Sequence, residues 1–194
     1  MSSHHFVKEG QEPALFVLEK SSIHLATPLL EWVPLVMVVD YVLEDVLQWG
    51  IKIDVVLQAK LPLSVVEQLV VDQQPVEILS AEPDQDVSKG LQFFIDEGYE
   101  AVNVIGSSDV HVFQSIEQLA NRLQVAIFNS DVKWSLITSG VFEKWMPADH
   151  SFQIRPGGAF QTEGIAQIGS SWQTMSEGMV SIKSEMPFWV GELH

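Results

Sequence analysis

The chain has 194 residues, of which 46% are hydrophobic, and its 26 acidic and 10 basic residues give a formal net charge of −16. This length suffices for a buried core, and the strongly negative charge repels nucleic acids and anionic membranes, so we expect neither as a partner. The sequence has no cysteine, which excludes disulfides and thiolate metal sites and is typical of a cytoplasmic protein.

The first two thirds of the chain alternate between short apolar runs and amphipathic segments of helical periodicity. The runs predicted as strands are 13–18, 35–40, 54–57, 76–79, 101–105 and 125–128. The segments predicted as helices are 42–49, 63–71, 86–97 and 112–123. None is as long as a transmembrane helix, and the N-terminus lacks the apolar region expected of a signal peptide. The alternation predicts an α/β domain with a doubly wound, mostly parallel sheet over residues 1–128.

Beyond Asn129, strand-like runs alternate with glycine-containing turns, and no helical periodicity is evident. This pattern predicts a small all-β, sandwich-like domain over residues 129–194. The domain contains the tryptophans at positions 134, 145, 172 and 189. A unit this small has more apolar surface than it can readily bury alone, so we expect a homodimer.

The order and spacing of several short segments resemble those of thiamine pyrophosphokinases. That family has D-G-G-A-N-x-L, a helix, G-I-x-P-D, a strand and G-D-x-D-S, and the corresponding places here hold Asp40, Gly50-Ile51, Asp54 and residues 58–62. The family's T-D-x-x-K-A-L corresponds to residues 85–91 and its G-G-R-x-D-H to residues 106–111. Its last strand corresponds to residues 188–190, after Gly178 and Ser184-Glu185. The resemblance covers nearly the whole chain.

This resemblance implies an α/β nucleotide-handling domain followed by a thiamine-binding-type β domain, assembled as a homodimer. The implied reaction transfers a pyrophosphoryl group from ATP to thiamine, with Mg²⁺ held by carboxylates to offset the charge on the phosphates. Mg²⁺ and ATP are thus the implied cofactors, and thiamine or an analogue is the implied small-molecule ligand.

The resemblance assigns candidate roles to five residues. Asp40, Trp172 and Ser184 are candidates for binding the ligand or cofactor, Asp86 for binding the metal, and His111 for catalysis. Structural alternatives stay open at four of these positions. Asp40 can cap the following helix, and Asp86 can be an acidic residue favoured at a helix N-terminus. His111 can be structural, and Trp172 can belong to the core or to a dimer interface.

At several positions this chain departs from the family's charged or small residues. Ala59 and Leu61 stand in place of two carboxylates, and Ser108 stands in place of an arginine that holds phosphate. Tyr41-Val42 replaces a pair of glycines. The sequence therefore predicts a thiamine pyrophosphokinase-like protein that is catalytically impaired or inactive. The alternative is a non-catalytic binding or assembly module that keeps the fold and the dimer.

Overall fold

The computed structural model describes residues 12–82 and 84–193. The chain divides after Asn129 into two compact units, which are described separately below. Within the described ranges, no helix is long and apolar enough to cross a membrane.

The first unit is built on a parallel sheet in the order β6-β5-β1-β2-β3-β4, and its neighbouring strands all pair in parallel. Its strands are β1 (Ala14–Val17), β2 (Val36–Val39), β3 (Val55–Gln58), β4 (Glu77–Ser80), β5 (Ala101–Ile105) and β6 (Gln124–Phe128). Its helices are α1 (Ile23–Leu30), α2 (Leu43–Leu47), α3 (Leu63–Leu69), α4 (Asp86–Asp96) and α5 (Val110–Glu117). Short 3₁₀ turns cover Asp40–Val42 and Val71–Gln73.

The centre of this sheet is apolar on both faces. All residues of β1 and β2 are buried, which is why both strands are continuous apolar runs rather than alternating ones. Helix α4 packs closely against β1 at Gly90, where an added Cβ would lie 2.4 Å from the Phe16 ring. Gly90 thus sets how near this helix comes to the sheet.

The predicted α/β region is confirmed, and each of its six predicted strands overlaps an observed one. Helix α2 ends at Leu47, and Gly50 closes the turn that follows, with φ of +67° and its N–H donating to the Leu47 carbonyl. Two helices differ from the prediction. Helix α1 was not predicted, and α5 ends at Glu117 instead of continuing to position 123.

The second unit is a β sandwich, as predicted. Its strands are β7 (Val132–Ile137), β8 (Val141–Met146), β9 (Ser151–Arg155), β10 (Phe160–Glu163), β11 (Ile165–Ile168), β12 (Ser171–Thr174), β13 (Gly178–Ser184) and β14 (Phe188–Leu193). They form two antiparallel sheets, in the orders β11-β12-β9-β14-β7 and β10-β13-β8. Buried residues of both sheets share one core, with Phe152 and Phe188 from the larger sheet and Met146 and Ile182 from the smaller.

Candidate functional site

A cleft of about 660 Å³ lies at the carboxyl ends of the parallel strands of the first unit. It is lined by residues that follow four adjacent strands: Leu18 and Glu19 after β1, Tyr41 after β2, Lys60 after β3, and Ser107 and Asp109 after β5. Asp84, the first turn of α4 and one side of α5 complete the lining. The strand order reverses between β1 and β5, and open α/β sheets bind ligands at such a reversal. The cleft is therefore the best-placed binding site in this unit.

Asp40 organises the loop after β3 from a buried position. Its side chain is 1% exposed, and Oδ2 accepts hydrogen bonds from the backbone N–H groups of Ala59, Lys60 and Leu61 at 2.9, 2.7 and 2.6 Å. Oδ1 is also buried and has no hydrogen-bond partner among the described residues. The interpretation of Asp40 as a helix cap is wrong, because its carboxylate bonds to this loop instead. Asp40 is not among the residues that line the cleft.

Asp86, the candidate metal ligand, lines the cleft and is held by Tyr41. The Tyr41 hydroxyl donates to Asp86 Oδ2 at 2.8 Å, and the Val87 N–H donates to Asp86 Oδ1 at 2.9 Å. The ammonium of Lys60 lies 3.7 Å from the centroid of the Tyr41 ring. Burial raises the pKa of Tyr41 well above its ordinary value, and the hydrogen bond to Asp86 raises it further. Tyr41 is therefore a protonated donor across the physiological pH range.

His111, the candidate catalytic residue, also lines the cleft and has an exposed side chain. The preceding loop is ordered by Asp109, whose carboxylate accepts from the N–H groups of His111 and Val112 and from the Ser107 hydroxyl. Partial burial acts to raise the pKa of Asp109, but these hydrogen bonds and the nearby imidazole outweigh it, and the net shift is downward. Ser108 accepts a hydrogen bond from the Asn129 side chain at 3.3 Å.

The donor groups of the cleft do not suit Mg²⁺, which prefers an octahedral set of oxygens. Ala59 and Leu61 offer no side-chain ligand, and both oxygens of Asp86 already accept hydrogen bonds. Asp86 would therefore be a single carboxylate ligand with part of its acceptor capacity already in use by the Tyr41 hydroxyl and the Val87 N–H. No group of three or more His, Asp or Glu side chains within 12–82 and 84–193 is arranged to hold a metal ion.

The other two candidates, Trp172 and Ser184, lie in the second unit. Trp172 is half-buried and packs against the sandwich core, with its ring edge-to-face to Phe160 at a centroid distance of 5.6 Å. The Ser184 hydroxyl donates to the Ala159 carbonyl and accepts from the Met186 N–H. Both positions are structurally accounted for within the sandwich, and their roles in ligand binding stay predictions.

No family model matches the sequence, and no curated protein matches it either. Solved structures do match. The thiamin pyrophosphokinase of Candida albicans superposes with a TM-score of 0.71 at 10% identity, over 94% of this chain and 89% of that one. The yeast enzyme gives 0.69 at 10% identity, over 98% and 88%. The Bacillus subtilis thiamine pyrophosphokinase gives 0.65 at 11% identity, over 93% and 98%.

This chain has the thiamine pyrophosphokinase fold. The resemblance seen in the sequence is thereby confirmed at the level of the fold. Sequence identities this low establish the fold and not the activity. What the protein binds or catalyses therefore depends on the residues of the cleft.

Within this thiamine pyrophosphokinase fold, sequence reasoning missed the contacts of Tyr41 and Lys60. In the sequence, Tyr41 stands where the family has glycine, and Lys60 stands between Ala59 and Leu61, which replace two carboxylates. The available signal was their position, because each directly follows one of two neighbouring parallel strands. The carboxyl ends of such strands meet at one edge of the sheet, which brings the two side chains together.

Proposed function

We propose that this chain is a thiamine pyrophosphokinase-like protein that does not transfer pyrophosphate and that keeps its cleft as a binding site for a small organic cation such as thiamine. The observation that carries the proposal is the loop after β3. Ala59 and Leu61 present no carboxylate, and the N–H groups of residues 59–61 are all bonded to Asp40. The loop can neither hold a metal through side chains nor offer these N–H groups to a phosphate.

Pyrophosphoryl transfer depends on positioning and on positive charge around the phosphates. The carboxylates that line the cleft are Glu19, Asp84, Asp86 and Asp109, against the single ammonium of Lys60. No arginine is among the described residues that line it. A triphosphate in this cleft would meet repulsion from four carboxylates that one ammonium does not offset, and we infer that Mg-ATP binds weakly.

The same charges favour a cation. A cleft of about 660 Å³ is large enough for a ligand of the size of thiamine. The net charge of −16 adds a long-range field of the favourable sign. We therefore expect thiamine to bind more tightly than Mg-ATP and to bind less tightly as salt is added.

The decisive experiment combines an activity assay with calorimetry. We expect no AMP above a no-enzyme control when the protein is given Mg-ATP and thiamine. Thiamine should bind, and E19Q/D84N should weaken its binding roughly tenfold by removing two charges from the cleft. Asparagine tolerates the positive φ of Asp84. The matched control, E67Q/D72N, removes two exposed charges outside the cleft and should leave thiamine binding unchanged.

Formation of AMP that depends on both substrates would refute the proposed loss of activity. Micromolar binding of Mg-ATP, together with no detectable binding of thiamine, would refute the proposed ligand class. Equal weakening by the two double variants would mean that the cleft is not where the cation binds.

A second candidate function is a homodimeric assembly module without a ligand. It is supported by an exposed apolar pair on the smaller sheet of the sandwich, where Trp145 and Met179 lie directly opposite each other on β8 and β13. These side chains are 58% and 62% exposed. If neither thiamine nor Mg-ATP binds in calorimetry and light scattering gives the mass of a dimer, this second function would be favoured over the first.

A further inference from the structure

Three side chains in the cleft form a linked series from a positive to a negative charge. The Lys60 ammonium lies over the face of the Tyr41 ring, 3.7 Å from its centroid. The hydroxyl of that ring donates to Asp86 at 2.8 Å. A carboxylate on the hydroxyl makes the ring more electron-rich, and an electron-rich ring holds a cation better, so the two contacts reinforce each other.

The loop that carries Lys60 is fixed at its base. Asp40 accepts hydrogen bonds from Lys60 N–H and from the N–H groups on either side of it, at Ala59 and Leu61. Three bonds to one buried carboxylate define the direction in which the Lys60 side chain leaves the backbone. The position of the Lys60 ammonium in the cleft is therefore determined by the bonds between its loop and Asp40.

This arrangement places a positive charge where the cleft would otherwise be acidic. Glu19, Asp84 and Asp86 line the same cleft as Lys60. A divalent ion near Asp86 would meet the ammonium of Lys60 and would compete with the Tyr41 hydroxyl for the carboxylate. Both terms oppose metal binding.

We propose that Lys60 is the resident cation of this cleft: held over Tyr41 and positioned by Asp40, its ammonium takes the place of a divalent metal, so that ligands bind in metal-free form. This inference deepens the proposed function, since it concerns the same cleft. It adds that Mg²⁺ neither occupies the site nor improves ligand binding.

The test uses Mn²⁺ as the probe, with free Mn²⁺ followed by electron paramagnetic resonance in titrations of the full-length protein. The variants are K60M, which keeps the length of the side chain and removes its charge, and K60R, which keeps the charge. We expect no saturable Mn²⁺ site in the native protein or in K60R. We expect K60M to bind Mn²⁺ at concentrations at least roughly tenfold below those at which the native protein shows any binding, because a like charge has left the acidic cleft. Thermal unfolding of each variant verifies that it is folded.

A saturable Mn²⁺ site in the native protein would overturn the proposal, and so would a folded K60M that binds Mn²⁺ no better than the native chain. Calorimetry of thiamine with and without Mg²⁺ gives a second readout, in which tighter binding with Mg²⁺ would also overturn it. The Mn²⁺ titration contains no thiamine, so failure of the proposed ligand class would leave this test unaffected.

Discussion

Two aspartates at the same edge of the parallel sheet both accept hydrogen bonds from backbone N–H groups, but over very different separations in the sequence. Asp40 follows β2 and accepts from N–H groups 19, 20 and 21 residues further along the chain. Asp109 follows β5 and accepts from N–H groups two and three residues further along. Asp40 is buried, whereas Asp109 is exposed.

The difference teaches that a carboxylate beside a strand end can serve either tertiary structure or local structure. Asp109 caps α5 and shapes one turn, and water can partly replace it. Asp40 joins two loops, and no solvent reaches it to replace the lost bonds. Of the two aspartates, only Asp109 caps a helix. Removing the carboxylate of Asp40 and removing that of Asp109 should therefore lower the free energy of unfolding by very different amounts.

The largest effect is expected for D40N. The substitution removes a charge that accepts three hydrogen bonds and puts an amide NH₂ group into a buried position. We expect it to lower the free energy of unfolding by about 3 kcal/mol, since each of the three bonds changes from a charged acceptor, contributing about 1.5–3 kcal/mol, to a neutral one, contributing about 1 kcal/mol. Urea denaturation at neutral pH measures this, and hydrogen exchange at residues 59–61 should speed up.

The control for this prediction is D45N, in the same segment of the chain. Asp45 pairs with Lys20 at the surface, and such pairs contribute less than about 1 kcal/mol. If D40N lowered the free energy of unfolding by no more than D45N, a buried carboxylate that joins two loops would stabilise the fold no more than a surface carboxylate does.

The fold was largely predictable from sequence, because buried parallel strands are continuous apolar runs between turn residues. The two helices that differed show where this signal fails. Helix α1 is only eight residues long and contains Pro28, so its composition and its length both give a weak helical signal. Helix α5 ends early because the Leu119 N–H bonds to the Ile116 carbonyl, which tightens the chain into a turn.

The site was less predictable than the fold. The losses at Ala59 and Leu61 could be read directly, because the side chains present cannot bind a metal whatever the structure. The contact between Tyr41 and Asp86 spans 45 positions in the sequence, and the orientation of Lys60 depends on Asp40. Such contacts follow from strand order and loop path, which local pattern does not determine.

A smaller effect is expected for Y41F. The hydrogen bond of Tyr41 to Asp86 is a tertiary contact, like those of Asp40, but it is only half-buried. The substitution removes the hydrogen bond to half-buried Asp86 but keeps an aromatic face for Lys60. We expect a loss of about 1 kcal/mol in unfolding free energy, since a partner is left with an unmade bond. The control is Y99F, the same change at a tyrosine that packs edge-to-face on Phe94. An equal loss in the two variants would show that the Tyr41–Asp86 bond contributes nothing of its own.

The smallest effect is expected for D109N, and its pH dependence is the informative part. Asparagine also caps helices well, so only the charge at the start of α5 is lost, which is about 0.5 kcal/mol at neutral pH. The pKa of Asp109 is lowered in the folded protein, with hydrogen bonds from Val112 N–H, the Ser107 hydroxyl and His111 N–H outweighing the opposing effect of burial. A lowered pKa means that the charged form contributes stability above the unfolded value of about 3.9 and that this contribution is lost as the pH falls through the folded value.

The difference in unfolding free energy between native protein and D109N should therefore be present at neutral pH and shrink in acid. Urea denaturation at neutral pH and at about pH 3 gives both values. A difference that stays constant over this range would mean that the carboxylate charge does not stabilise the turn and that Asp109 acts through its shape alone. In that case the local carboxylate would differ from Asp40 in the kind of contribution as well as in its size, because the charge of Asp40 strengthens three buried hydrogen bonds to one oxygen.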